Sequence, residues 1–192
     1  MSTLIAVVYD SRGGNTRRMA NAVADGAVKQ GAQAHLMDVT ALDEQHWELM
    51  AAADGVLFGS PTHIGGPSAA FVAFAEETGR RQMAVHWTDT IASGFTTGAA
   101  MAGGKLHTLN YMLALAMQHS MIWAGQPVPA GWNTSTGSAD DSNRLGYRLG
   151  AAAQVNFDQG PENMRASDLL TTAEHGRRLA SLAARMRQGA QS

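Results

Sequence analysis

The chain has 192 residues, 16% of them charged, a formal net charge of −2 and no cysteine. That length suits one domain with a large core and is short for two. The lack of cysteine excludes disulfides, thiolate-ligated iron–sulfur clusters and thiol catalysis. The near-neutral balance argues against a nucleic-acid partner, and also against a strongly acidic shuttle that docks on basic proteins.

No apolar run approaches the roughly 18 residues of a membrane span. No basic segment or cleavage site precedes the first apolar stretch, so a cytoplasmic location is expected. The charged fraction is low. Either other subunits cover part of the surface, or the composition is simply rich in alanine.

Apolar strands and helical patterns alternate along the chain. Leu4–Tyr9 reads as strand one, and Thr16–Gln30 as a helix with Met19, Val23 and Ala27 on one face. Ala34–Asp38 is strand two, Ala41–Ala53 is partly helical, and Gly55–Gly59 is a short buried strand three. Ser68 caps a helix that Gly79 should close. Thr90–Thr96 is strand four, Gly104–Ser120 a helix with Leu106, Leu109, Leu113, Ala116 and Met117 inward, and Met121–Trp123 strand five. Gly125–Ser142 is rich in Gly, Pro, Ser, Thr and Asn and reads as a long surface loop. A last helix, capped at Ser167 or Asp168, runs to about Arg187. Five apolar strands alternating with helices imply an α/β three-layer sandwich, with a five-stranded parallel sheet in the order 2-1-3-4-5. Residues 1–192 are expected to form a single domain of this kind.

In such sheets the ligand lies beyond the carboxyl ends of the strands, at the switch point beside strand one. Three unusual loops should meet there. Ser11-Arg12-Gly13-Gly14-Asn15-Thr16 leads from strand one into a helix N-terminus, where free amides and the helix dipole favour an anion. It carries hydroxyls and an amide but no P-loop lysine, which suits a terminal phosphate monoester. Ser60–Gly66 follows strand three, and Thr96–Lys105 follows strand four; both are hydroxylated and punctuated by glycine. A phosphate cradle beside two such loops describes a mononucleotide with a planar head, and a flavin is the natural candidate.

Two near-matches fail. Ala99–Leu106 approaches a Walker motif, but it begins with Ala and ends on Leu106 where a magnesium-binding hydroxyl belongs. Asp38 sits where a dinucleotide-binding acid would, yet the first loop lacks G-x-G-x-x-G spacing. No metal is expected, because no His and acidic residues show ligand spacing.

Tyr9–Thr16, Gly59–Gly65, Ala92–Gly98, Gly104-Lys105 with Thr108-Leu109, and Gln118–Ile122 together carry a family resemblance. So does Asn143–Gly146 with Leu149-Gly150 and Ala153-Gln154. The chain resembles the flavodoxin-like FMN proteins over nearly its whole length, most closely the multimeric WrbA-type NAD(P)H:quinone oxidoreductase branch. The resemblance implies bound FMN. Its phosphate would lie on Ser11, Arg12, Gly13, Gly14, Asn15 and Thr16, and its ring along Pro61, Thr62, His63, Ile64 and Gly65. Thr97, Gly98 and Ala99 would meet its other edge or the ribityl chain. It also implies NAD(P)H as co-substrate, two-electron reduction of a quinone-like small molecule, and a homodimer or homotetramer. Flavodoxin-type electron carriage and NAD(P)H-dependent flavin reduction are the alternatives. The chain departs from the family at Gly13, where some relatives carry an aromatic, and in the less glycine-rich Ala99–Ala102.

His63 is the candidate catalytic residue: it either donates a proton or hydrogen bond beside the ring or packs on it. Trp87 either walls an acceptor site or packs in the core. His119 reads as a helix-end histidine favoured by the dipole. Arg17 and Arg18 sit in a helix's first turn, relieved by a phosphate or by solvent.

Overall fold

A computed structural model describes residues 2–81 and 86–189. Strand β1 (Leu4–Tyr9) is buried along nearly its whole length and lies between β2 (Gln33–Asp38) and β3 (Gly55–His63), parallel to both. A two-residue strand, β4 (Gly66–Pro67), folds back antiparallel on the end of β3. β5 (Ile91–Gly98) continues the parallel sheet beyond β3. Two short strands share its outer edge: β6 (Ile122–Trp123) pairs with its beginning and β7 (Ala151–Gln154) with its end.

The order is β2-β1-β3-β5-β6, which is the expected order with two strands added. The expectation of five strands is thereby corrected to seven among the described residues. β4 exists because Ile64 and Gly65 both adopt positive φ, 47° and 80°, and close a two-residue hairpin. β7 is an alanine run of low β propensity. It resumes the fifth strand position after residues 124–150, so the long polar loop interrupts an edge strand.

Helices α1 (Asn15–Lys29) and α5 (Ala166–Gly189) cover one face of the sheet; α2 (Glu44–Ala51), α3 (Ala69–Arg80) and α4 (Lys105–Gln118) cover the other. Their starts follow local chemistry. Asp43 and His46 form a reciprocal capping box on α2, and Ser68 Oγ accepts from the Phe71 amide at 3.2 Å on α3. Gly79 does not end α3, because Glu77 bonds Arg80 and Arg81 at 2.7 and 2.8 Å and carries the helix through it. In α4, Leu106 and Met117 face solvent rather than the core, at 53% and 48% exposure.

The two cores have different characters. Between the sheet and α2–α4, Phe58 meets Phe71 and Trp87 edge-on at 6.2 and 5.9 Å. On the other face, α1 and α5 touch backbone to backbone. A Cβ on Gly26 would lie 1.9 Å from the Ala173 carbonyl oxygen, and one on Gly176 2.1 Å from that of Val23. The parallel arrangement brings the carboxyl ends of β1, β3, β5 and β7 to one edge.

Among the described residues, no helix is long and apolar enough to cross a membrane.

Candidate functional site

The loops at that edge enclose a cleft of about 610 Å³, within the usual range for a small-molecule site. Every loop residue expected to bind the cofactor lines it except Gly14 and Gly65. Those two shape the backbone: Gly14 holds the N-cap position of α1 at φ 84°, and Gly65 is the second residue of the hairpin turn.

The first loop leaves a helix N-terminus open. No side chain caps α1 from the N-cap position. Ser11 Oγ accepts from the Arg17 amide at 3.0 Å, which leaves the Ser11 hydroxyl proton free to donate outward. The amides of Asn15 and Thr16 precede the first intrahelical bond. Thr16 is buried. The Oδ1 of Asn15 is buried without a partner among the described residues, as is the Oγ1 of Thr97 on the third loop. Buried polar atoms without partners are costly; here two of them line the same cleft from different loops. Among the described residues no carboxylate lines the cleft, and Arg12 does. The donor set fits an anion attached to a ligand with further polar groups.

The second loop is tied down from within. Thr62 Oγ1 lies 2.8 Å from Thr96 Oγ1 and 2.9 Å from Thr108 Oγ1, and Thr96 donates to the Ser60 carbonyl at 2.7 Å. The Thr62 hydroxyl is therefore spent on joining β3, β5 and α4, and the residue meets the cleft as a shaped wall. Ser60 Oγ accepts from the Ser68 amide at 2.9 Å. Gly104, at φ 86°, packs so closely on this loop that a Cβ there would lie 2.5 Å from the Gly65 Cα.

The third loop rests on a buried cation. Lys105 is 1% exposed and donates from Nζ to the carbonyls of Gly98 (3.2 Å), Met101 (3.4 Å) and Ala100. Burial pushes its pKa down to about 8; Asp168 opposes the shift and Arg144 adds to it. By holding the carbonyls inward, Lys105 constrains the Gly98–Met101 backbone that borders the cleft.

A fourth loop was not visible in the sequence. Val155, Asn156, Phe157 and Gln159, which follow β7, complete the cleft wall. Phe157 is 96% exposed and Ile64, on the second loop, is fully exposed. Large apolar side chains bare at the rim of a polar cleft are sites where a flat ligand removes apolar surface from water.

His63 lines the cleft and is exposed at the end of β3. Trp87 does not line it: its ring is 1% exposed and its Nε1 donates to the Met50 carbonyl at 2.8 Å, which settles the packing alternative. His119 is the C-cap of α4 as expected, but burial lowers its pKa, and its Nε2 lies 2.9 Å from Thr78 Oγ1. It is a neutral core group, not a cation held by the dipole. Arg17 reaches Asp38 at 3.2 Å and the Tyr9 hydroxyl at 3.2 Å. Asp38 is thus occupied by an arginine and by Thr40.

A flavodoxin family model matches residues 7–109, more than half of the chain. Flavodoxin FldP of Pseudomonas aeruginosa is 36% identical over 180 residues, 92% of this chain and 94% of that protein. An NAD(P)H dehydrogenase (quinone) of Archaeoglobus fulgidus is 30% identical over 64% of this chain and 76% of its own length. The crystal structure of a flavodoxin, a WrbA-like protein from Agrobacterium tumefaciens, superposes with a TM-score of 0.75 at 34% identity, covering 96% of this chain and 99% of that one. The strand order, the open helix N-terminus after β1 and these similarities together place the chain in the flavodoxin family.

Proposed function

We propose that the cleft binds FMN and that the protein passes two electrons from NAD(P)H to a quinone or similarly flat acceptor. Two unpartnered buried atoms carry this reading: Asn15 Oδ1 at the helix N-terminus and Thr97 Oγ1 across the cleft. FMN has ribityl hydroxyls and a ring N–H that could donate to the Asn15 oxygen, and ring carbonyls that could accept from the Thr97 hydroxyl, while its dianionic tail would take the amides and hydroxyls of the first loop. When bound, it supplies the two-electron redox centre, and the protein supplies binding and orientation.

The residues divide the work. The Asn15 and Thr16 amides, the Ser11 hydroxyl and Arg12 hold the phosphate, where the α1 dipole adds to the attraction. Pro61, Thr62, His63 and Ile64 pass along the ring on one side. Thr97, Gly98 and Ala99 meet its other edge or the ribityl chain, with backbone amides available to a polar edge. His63 sits where it can donate a hydrogen bond to a ligand at the rim. Phe157 and Ile64 remove apolar ligand surface from water at the mouth. We also propose that residues 1–192 form one FMN-binding domain and that the protein assembles as a dimer or tetramer; the exposed Leu106 and Met117 on α4 are consistent with a covered surface.

The similarity to a protein named as a flavodoxin favours a second reading, an electron carrier without a small-molecule acceptor of its own. The near-neutral charge and the insertion at residues 124–150 weigh against it, because a carrier that docks on partners by charge needs a strong field. Anaerobic addition of NADPH to the yellow protein, followed by benzoquinone, separates the two. Bleaching by NADPH and rapid recolouring by quinone, with steady turnover, supports the reductase. A flavin that NADPH leaves oxidised refutes it.

A further inference from the structure

Beside the cleft lies a second chamber of about 570 Å³, which shares Val155, Asn156 and Gln159 with it. Two arginines, Arg144 and Arg165, line this chamber, and among the described residues no carboxylate does. We propose that it binds the adenosine 2′-phosphate end of the nicotinamide donor, so that the protein takes NADPH in preference to NADH. The inference rests on the reductase function proposed above.

Arg144 is built in. Its side chain is 1% exposed, and its Nε and Nη2 each lie 2.9 Å from an oxygen of Asp168. That bidentate pair fixes the guanidinium plane, and Nη1 has no partner among the described residues. Arg165 is the adaptable member. It is half exposed and 3.1 Å from Asp140, whose carboxylate is 86% exposed. Such a pair is weak in water, and a phosphate dianion in the chamber displaces the carboxylate. The Asn156 side chain on the wall accepts from Gln154 Nε2 through its Oδ1 at 2.9 Å, which leaves its amide nitrogen as a further donor; that of Asn163 is held by Glu162 and Gly160.

The chamber also offers a surface for the base. Trp132 is 46% exposed on its wall, with backbone at φ 41°. The Trp132 amide donates to Asp141 Oδ2 at 3.1 Å, which holds the strained residue in place. A planar adenine stacks on such an indole. An NADH site usually places an acid on the ribose 2′-hydroxyl, whereas arginine accommodates a 2′-phosphate; the wall here has the second character. Gln154 connects the chamber to the cleft. Its Oε1 accepts from Arg144 Nη2 at 3.4 Å, and its Nε2 donates to the Ala99 carbonyl on the third loop at 2.9 Å.

The test is calorimetric titration of the flavin-loaded protein with adenosine 2′,5′-bisphosphate and with 5′-AMP. The bisphosphate should bind at least tenfold more tightly than 5′-AMP, and R165Q should remove most of that difference. W132A should weaken both probes. In kinetics, R165Q should lower the NADPH-to-NADH ratio of kcat/KM about tenfold. Equal affinity for the two probes, no binding of the bisphosphate, or R165Q binding both as the natural protein does would each overturn the proposal. Failure of the reductase function reads out separately, as a flavin that neither nucleotide bleaches.

Discussion

Lys105 Nζ lies 3.2 Å from the Gly98 carbonyl, so a buried ammonium underlies the third loop of the cleft. Its folded pKa of about 8 lies below the ordinary 10.5. Between those values the unfolded chain holds the extra proton, so global stability rises with pH across the window. The loop behaves oppositely, because it is held by the charged form. FMN affinity is therefore expected to rise to a plateau at about pH 7, as the phosphate completes its second ionisation at about pH 6, and then to fall about tenfold through pH 8, without a matching fall in Tm. Fluorescence titration of FMN into the FMN-free protein from pH 6 to 10 measures this. Lys105→Met should bind weakly at every pH; a pH profile like that of the natural protein would rule the ammonium out.

Thr62 joins three elements through one hydroxyl. Thr62→Val keeps the shape but leaves the fully buried Thr108 without that partner. Stranding a buried hydroxyl costs about 2 kcal/mol, a loss of about 4–8 °C in Tm for a chain of this size. Thermal unfolding checks it, and an unchanged Tm would show that Thr108 finds another partner.

Gly104 and Gly13 should respond differently to alanine. At Gly104, φ is 86° and the added Cβ meets the Gly65 backbone at 2.5 Å, so the second loop must move. Gly104→Ala should lower both Tm and FMN affinity. At Gly13 nothing lies within 4 Å of the added Cβ, and Gly13→Ala should leave Tm unchanged. Equal effects of the two substitutions would contradict the packing of α4 on the hairpin.

The site was largely legible because its loops follow strands that read plainly. Tyr9, Gly59 and Thr96 end apolar runs, and parallel pairing brings the loops after them to one edge. Three features stayed hidden for physical reasons. The β4 hairpin turns through Ile64, a β-branched residue at positive φ that no turn pattern anticipates. β7 is three alanines and a glutamine, too small in side chain to signal a strand, and with it the Val155–Gln159 wall was missed. Lys105 resembled a failed Walker lysine in sequence, while its burial and three carbonyl partners depend on tertiary packing.

Acid should weaken the fold through His175. Burial holds its pKa at about 4, below the ordinary 6.5, and its Nε2 lies 2.7 Å from Ser93 Oγ. The unfolded chain takes up this proton near pH 6.5 and the native state only near 4, so stability is complete above 6.5 and declines as pH falls towards 4. His119 adds in the same direction. Urea midpoints at pH 7.5 and pH 5 should differ, the lower pH giving the lower midpoint. Equal midpoints would mean that His175 is not held neutral.

The most direct measurement compares FMN with riboflavin as ligands of the FMN-free protein. If the open N-terminus of α1 grips the phosphate, FMN binds at least a hundredfold more tightly, and the combined Ser11→Ala and Arg12→Ala substitution, which removes the side-chain donors and leaves the amides, narrows that gap at least tenfold. Equal affinity for the two flavins, or a gap that the double substitution leaves unchanged, would contradict it.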